Sequence, residues 1–274
     1  MKMVLYFIIF ISSISICQNG KTDEQIFNSK KKIFASDKSL PGNVISIAKS
    51  FLGTVYTAHT LESNSPENLV VNLREFDCTT FVESIIALAR TYHTDNQFST
   101  FKNELRKIRY RDGMLNGYMS RLHYFSEWIL NNEKRGIVAQ LKMNSIEHNS
   151  KFNMNFMSEH ASLYPKLSDS SGYVAIIKSI EESISNNNLS YLLSKDIHKI
   201  NEIAKHGDII AFVTSTKGLD YSHVGFLTKE KDGEFHLLHA PDKGLTVQVS
   251  KQPIMDYIKS KKSILGVKII RLVE

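Results

Sequence analysis

The chain has 274 residues, of which 42% are apolar and 23% charged; these are ordinary values for a globular protein and exclude a disordered or fibrous one. The formal net charge of +6 suits an anionic partner but is too small and too scattered to indicate nucleic-acid binding. The sequence has no run of 18 apolar residues, so no stable membrane insertion is expected.

The N-terminus has the pattern of a secretory signal peptide. A positive charge at Lys2 precedes the apolar run 3–11, and the small residue Cys17 stands where a signal peptidase would cut. We therefore predict a signal peptide at residues 1–17, export to the periplasm, and one mature domain at residues 18–274.

The chain has two cysteines, and signal cleavage would leave Cys78 as the only one in the mature protein. The alternative, a lipoprotein signal in which Cys17 carries the lipid, is disfavoured by the bulky Ile16 before it. In either case Cys78 has no internal disulfide partner. Its thiol is then either a small buried apolar group or a nucleophile.

The spacing of apolar residues predicts helices from about residue 43 to 135 and short strands from residue 207 onward. Three apolar helix faces are predicted: Ile47, Phe51 and Leu52, ended by Gly53; Phe81, Ile85, Leu88 and Ala89; and Leu122, Phe125 and Ile129, ended by Gly136. Five strands are predicted: 209–213, 224–228, 235–239, 245–249 and 267–272. The Ser/Asn-rich segment 183–190 is predicted to be a surface loop. Helices followed by a strand meander indicate an α+β fold.

Asp77 and Cys78 stand at the start of the second predicted helix. Aspartate is a preferred N-cap residue, so Cys78 falls in the first turn, where free backbone N–H groups and the helix dipole favour a thiolate. A nucleophilic cysteine also needs a base, and the base needs an orienting partner. His223 and His239, in two neighbouring predicted strands, can supply both.

The loop between these two strands decides whether the histidines can meet. A two-residue turn at 232–233 would point His223 and His239 to opposite faces of the sheet. A three-residue loop at 231–233, with Gly233 in the left-handed conformation, puts them on one face as diagonal neighbours, within reach of each other. The proposed site therefore requires the three-residue loop.

The sequence gives no support for a metal ion or a cofactor. His236 and His239 are the nearest approach to a ligand pair, but their odd spacing on a strand points the two rings to opposite faces. A G-x-S-x-G elbow, a phosphate-binding loop and a dinucleotide fingerprint are missing from the sequence. Serine hydrolase, NTPase and dehydrogenase activities are therefore unsupported.

At these residues the sequence resembles the NlpC/p60 papain-like cysteine hydrolases of bacterial cell walls. The matching segments are 77–78, 207–208, 222–225 and 239–240. The chain resembles more closely the N-acetylmuramoyl-L-alanine amidase-like branch that was first catalogued as a domain of unknown function, DUF1460. That closer match lies in three blocks: 51–56, 72–83 and 109–124. Similarity runs from about residue 43 to the C-terminus.

The resemblance implies a papain-like (NlpC-type) fold, with N-terminal helices packed on a C-terminal antiparallel sheet. It implies Cys78 as the nucleophile, His223 as the general base and His239 as the residue that orients the base. It places Tyr56 near the oxyanion or the substrate, although His59 stands where the family has a glycine. No cofactor is implied.

The implied substrate is a peptidoglycan fragment, cut between the lactyl group of N-acetylmuramic acid and L-alanine. Such muropeptides carry free carboxylates, for which Arg111 and Arg121 are candidate clamps. Tyr118 and Tyr124 are candidates for stacking on a sugar ring. Surface ion pairs for the arginines and core positions for the tyrosines are the structural alternative.

Two other functions stay open at this point. A γ-D-glutamyl-diaminopimelate endopeptidase would use the same nucleophile, with Asp77 and Ser222 holding the free amine of L-alanine. A non-catalytic peptidoglycan-binding module on the same scaffold is the alternative of another class. The sequence leaves the oligomeric state open, and we expect a monomer.

Overall fold

The computed structural model describes residues 20–34, 39–62, 66–142, 146–242 and 245–273, so the predicted signal peptide lies outside the described residues. The α-helices are α1 (Asp23–Lys30), α2 (Leu40–Lys49), α3 (Cys78–Tyr92), α4 (Phe98–Arg109), α5 (Phe125–Lys134), α6 (Phe156–Glu159), α7 (Pro165–Ser168), α8 (Ser171–Ser185), α9 (Ile200–Ile203) and α10 (Ile254–Lys259). The strands are β1 (Val55–Tyr56), β2 (Glu75–Phe76), β3 (Val138–Gln140), β4 (His148–Ser150), β5 (Leu189–Leu193), β6 (Ile209–Thr214), β7 (Tyr221–Lys229), β8 (Phe235–His239), β9 (Gln248–Pro253) and β10 (Ile264–Leu272). Among the described helices, none is long and apolar enough to cross a membrane.

The main sheet is antiparallel and is built mostly from the C-terminal half of the chain. Its strands follow the order β4-β5-β10-β6-β7-β8-β9, and β3 also pairs with β10. A separate parallel pair joins β1 to β2 just before α3. The predicted α+β fold, with helices first and an antiparallel sheet after them, is confirmed; the papain-like assignment stays a prediction.

The central strand β6 is buried along its whole length because helices cover both faces of the sheet. Its alternate residues enter two apolar cores, as strand geometry requires. Ile209, Ala211 and Val213 pack in the core that contains α2 and α3. Ile210 and Phe212 pack in the core that contains Ile254 and Ile258 of α10. The sheet therefore separates α3 from α10, and both helices reach the end of β7 where the candidate site lies.

The hairpin of β7 and β8 has the predicted register. Phe226 pairs with Leu238 and Lys229 with Phe235. The Glu230 N–H donates to the Glu234 carbonyl at 3.0 Å, which closes a three-residue loop, and Gly233 has φ +83°. The loop on which the meeting of the two histidines depends is confirmed.

Several predicted elements differ from the structure. Leu52 is 48% exposed rather than on the buried face, because α2 ends at Lys49 and the chain then turns. Leu122 is buried but lies before α5. The segment predicted as a loop, 183–190, is an exposed turn only at residues 186–188, because α8 ends at Ser185 and β5 begins at Leu189. The predicted strand 245–249 begins only at Gln248, as β9. Before it, the Leu245 carbonyl accepts from the Tyr56 N–H.

Candidate active site

Helix α3 presents Cys78 at its first position. Asp77 is the N-cap residue, and its carboxylate accepts from the Thr80 N–H at 2.7 Å. The Thr80 hydroxyl in turn accepts from the Asp77 N–H at 2.9 Å, which completes a capping box. The predicted cap is thus confirmed, and the Asp77 carboxylate is occupied with the helix end.

His223 and His239 meet on one face of the β7–β8 hairpin. The His223 Nε2 and His239 Nδ1 atoms are 2.7 Å apart, a short hydrogen bond between two rings that lie nearly at right angles. Gly225 makes this approach possible, because a Cβ atom there would lie 3.0 Å from His239 Cβ and 2.9 Å from the Leu238 carbonyl oxygen. A shift of register between β6 and β7 lies beside His223, and such bulges re-aim side chains.

The sulfur of Cys78 lies against the strand that carries His223. The backbone N–H groups of Val224, the residue after His223, and of Thr79 donate to Sγ. Burial, with the neighbouring Asp77 carboxylate, nevertheless raises the pKa of Cys78 to about 12. Desolvation at Cys78 therefore opposes the thiolate that the sequence predicts, and it outweighs the helix dipole.

Both histidine rings are neutral near pH 7. Burial lowers the pKa of His223 to about 4, and Asp242 opposes this shift while Lys261 adds to it. Burial, His223 and Lys261 lower the pKa of His239 to about 3. The resting site thus holds a thiol beside a neutral imidazole rather than a thiolate–imidazolium pair.

The hydrogen bond between the rings has one orientation that serves a base. If His223 Nε2–H donates to His239 Nδ1, then His223 Nδ1 is an unprotonated acceptor that can take the thiol proton. His239 then carries its own proton on Nε2, which is buried without a protein partner among the described residues. In the reverse orientation His223 Nδ1 would be protonated and could not act as a base.

A cleft of about 310 Å³ gives access to these groups, and we call it the Cys78 cleft. Of the residues singled out in the sequence, it is lined by Tyr56, Cys78, Ser222 and His223. Burial, with the acidic groups of Cys78, Asp77 and Asp242 nearby, raises the pKa of Tyr56 to about 12, so its phenol is a neutral donor. The structure therefore brings together the three predicted catalytic residues, with Tyr56 and Ser222 beside them.

Another part of the Cys78 cleft is lined by residues that the sequence did not indicate. Asp242, Tyr257 and Lys261 line it as well. Asp242 stands only three residues after His239, so its nearness to the site could have been predicted from the sequence. Tyr257 lies in α10 and Lys261 lies two residues after that helix ends. This segment has no motif, and only the packing of α10 brings the two side chains to the site.

Four of the seven residues predicted to hold the substrate, Arg111, Tyr118, Arg121 and Tyr124, do not line the Cys78 cleft. The Arg121 guanidinium is buried and pairs with Glu62 at 2.5 Å and Glu67 at 2.8 Å. Arg111 pairs with Glu127 at 2.6 Å and donates to the Met119 carbonyl.

The two tyrosines are buried as well. Tyr118 is 3% exposed and lies under the Arg121 guanidinium, and Tyr124 is 2% exposed with its hydroxyl donating to Glu181 at 2.6 Å. The structural alternative thus describes all four residues, and Asp77, as the helix cap, joins them.

His59, at the position where the resemblance implies a glycine, has a left-handed backbone conformation. Its φ is +61°, in the left-handed region, and its side chain is exposed. The side chain therefore does not narrow the Cys78 cleft. Non-glycine residues pay a small steric cost in this conformation.

Within the described ranges, no group of three or more His, Cys, Asp or Glu side chains is arranged to hold a metal ion. His236 and His239 enter opposite faces of β8, as their odd spacing requires. His236 donates instead within its own cluster, from Nδ1 to the Ser250 carbonyl at 2.8 Å and from Nε2 to the Asp232 carboxylate at 2.9 Å.

A family of known sequences matches most of the chain. The sequence model of the AmiA-like family, described as N-acetylmuramoyl-L-alanine amidase-like, matches residues 46–267. No match is found among curated proteins.

Solved structures agree with that match. A crystal structure of an N-acetylmuramoyl-L-alanine amidase from Bacteroides uniformis is 35% identical over 86% of this chain and 99% of its own, with a TM-score of 0.80. A protein from Bacteroides fragilis described as a putative xylanase is 37% identical over 82% and 99%, with a TM-score of 0.77. A DUF1460 protein from Legionella pneumophila, 20% identical over 92% and 96% with a TM-score of 0.69, shares the fold.

Proposed function

Because the chain belongs to the N-acetylmuramoyl-L-alanine amidase-like family of cell-wall hydrolases, we propose that it hydrolyses the amide between the lactyl group of N-acetylmuramic acid and L-alanine, with Cys78 as the nucleophile. The observation that carries this proposal is the 2.7 Å hydrogen bond between His223 and His239 beside the capped end of α3. This constellation supplies a nucleophile, a base and an orienting group in one cleft.

The reaction would proceed in two halves. In the first, Cys78 Sγ attacks the lactyl carbonyl carbon while its proton passes to His223 Nδ1. The C–N bond then breaks, His223 returns the proton to the nitrogen of L-alanine, and a thioester remains. In the second, His223 takes a proton from water, whose oxygen attacks the thioester carbon; the C–S bond breaks and the proton returns to sulfur.

The surroundings of the site fit a general-base mechanism better than a preformed ion pair. The lowered pKa of His223, due first to burial, keeps its ring unprotonated and able to accept. In this proposal, His239 Nδ1 accepts the hydrogen bond from His223 Nε2–H. His223 Nδ1 then faces the thiol. The neutral Tyr56 phenol and the Cys78 N–H at the start of α3 are the donors that we assign to the developing oxyanion.

We also propose that the protein acts outside the cytoplasm, in keeping with the signal-like residues 1–17. Its partner would be a peptidoglycan fragment rather than another protein, and we expect it to act as a monomer. An exported site of this kind benefits from a buried, protonated thiol, because the thiolate is the form that oxidants attack.

Digestion of a defined disaccharide-pentapeptide, followed by mass spectrometry, tests the proposal directly. We expect the intact stem peptide and the disaccharide with a free lactyl carboxylate. An endopeptidase would instead release a disaccharide carrying L-alanyl-D-glutamate, and a binding module would release nothing. Either of these outcomes would overturn the assignment of the bond or of the activity.

Substitutions assign the roles within the site. Cys78→Ala should abolish turnover and retain binding of the muropeptide, and His223→Ala should lower kcat by about a hundredfold to ten-thousandfold. His198, an exposed histidine that does not line the Cys78 cleft, provides the matched control: His198→Ala should keep the wild-type rate. Turnover that survives Cys78→Ala would refute the nucleophile.

A further inference from the structure

The Cys78 cleft has a cationic wall that the proposed chemistry does not use. Lys261 lines the cleft together with Tyr257 of α10, the helix that the sheet separates from α3 and Cys78. Its ammonium lies over the Tyr257 ring, 5.1 Å from the ring centre. Tyr257 in turn contacts His239 edge-on, with ring centres 5.9 Å apart. The charge is therefore one aromatic ring away from the histidine pair.

The backbone around Lys261 is held by hydrogen bonds even though the residue is exposed. The Lys261 N–H donates to the Ile258 carbonyl at 3.1 Å, and the Lys261 carbonyl accepts from the Ile264 N–H at 3.1 Å. Both isoleucines are buried in the core beneath α10. The turn between α10 and β10 thus holds the lysine at the cleft on a rigid support.

The ammonium of Lys261 is available to a ligand. In the described part of the chain it forms no ion pair, although the Asp242 carboxylate lines the same cleft. Its positive charge lowers the pKa values of both His223 and His239, so its field extends over the reacting groups. An anion in the Cys78 cleft would meet this charge first.

From this placement we infer that Lys261 binds the free α-carboxylate of D-glutamate in the stem peptide and makes the enzyme prefer substrates in which that carboxylate is not amidated. The inference rests on the proposed function. It replaces Arg111 and Arg121, whose guanidinium groups are already paired with glutamates. A charge-assisted bond from an ammonium to a carboxylate is stronger than a neutral one, and a cleft screens it less than open surface does.

A pair of substrates that differ only in one charge tests this role. N-acetylmuramoyl-L-alanyl-D-glutamate and the same compound with D-isoglutamine, its α-carboxamide, are compared by kcat/KM with the wild-type enzyme. We expect a preference for the acid of about fivefold to twentyfold, found mainly in KM. Lys261→Gln should reduce this ratio to about 1, while Lys261→Arg should keep most of it.

The ratio separates carboxylate binding from a structural or catalytic effect of the same lysine. Any change that Lys261→Gln makes to folding, to Tyr257 or to the histidines alters kcat/KM equally for both substrates and cancels in the ratio. Lys262→Gln removes the same charge from the next residue, which does not line the cleft, and should keep the wild-type ratio. Asp242→Asn removes a negative charge from the cleft and should raise the ratio.

A wild-type ratio near 1, or a ratio that survives Lys261→Gln, would overturn the inference while leaving the amidase activity intact. Failure of the wild-type enzyme to release the peptide from either compound would instead count against the proposed function. A preference for the amide would show that Asp242 rather than Lys261 dominates the field in the cleft, and would also overturn the inference.

Discussion

The close approach of β7 to β8 at Gly225 can be tested by adding a single methyl group. In Gly225→Ala the new Cβ would lie 2.8 Å from Leu237 Cδ1, 2.9 Å from the Leu238 carbonyl oxygen and 3.0 Å from His239 Cβ. Two of these three neighbours are backbone or next to it and cannot rotate away. Because Gly225 does not have a positive φ, the obstacle to alanine is space and not backbone conformation.

The displacement can be worked out from these contacts. Ordinary contact begins at 3.4 Å, so β8 must move at His239 by about 0.4–0.5 Å. The same movement would lengthen the 2.7 Å bond between His223 and His239 to roughly 3.1–3.2 Å. We expect kcat to fall about tenfold to a hundredfold, because small misplacements of catalytic groups are costly. Overpacking of this kind should also lower the free energy of unfolding by about 1–3 kcal/mol.

The assay is steady-state hydrolysis of a defined muropeptide at a temperature well below the unfolding midpoint, with thermal unfolding followed in parallel. Gly172→Ala is the matched control, since its Cβ would meet nothing closer than Ser170 Oγ at 3.8 Å. Gly172 lies within α8, where alanine should stabilise by about 0.5–1 kcal/mol and leave kcat unchanged. A Gly225→Ala enzyme with wild-type kcat and stability would refute the role assigned to the close approach.

Two further predictions concern titration. Because burial, with Asp77, raises the pKa of Cys78 to about 12 from an ordinary value of 9.0, the rate of alkylation by iodoacetamide should climb steadily with pH through about pH 9; a plateau near neutral pH would contradict a protonated thiol. Burial opposes the charged form of His236, but hydrogen bonds to the Ser250 carbonyl and Asp232 raise its pKa overall. The stability that this adds is complete below pH about 6.5 and is lost as the pH rises through the raised folded-state pKa. Asp232→Asn should therefore flatten the fall of the unfolding midpoint above that pH, and an equal or steeper fall would contradict the assignment.

The parts of the site that sequence alone predicted are those fixed by short stretches of chain. Cys78 follows an N-cap residue, so its place in the first turn depends on the next three residues only. His223 and His239 share a hairpin, and the parity of its loop decides which face each ring enters. Both are local geometric consequences of known backbone rules. Neither required knowledge of how distant segments pack.

Arg111 and Arg121, which the sequence suggests as substrate clamps, lie away from the Cys78 cleft for the opposite reason. The partners of Arg121 are Glu62 and Glu67, more than fifty residues earlier, and nothing in either segment indicates that they meet. A free arginine and a paired one look the same in a sequence. Lys261 was missed because its place at the cleft depends on α10 packing beneath the sheet. Non-local packing thus decides which cation lines the Cys78 cleft.

The protonation state of Cys78 shows how two local effects of opposite sign compete. A charge at a helix N-terminus gains about 0.3–1 kcal/mol, which is less than one unit of pKa. Burial can shift a pKa by up to about 3–5 units, and at Cys78 it acts against the charged form. Helix position therefore aims the sulfur without ionising it. In the proposed mechanism the thiol and His223 are both neutral at rest, so the proton would move as the sulfur attacks, and the 2.7 Å hydrogen bond to His239 would matter most at that moment.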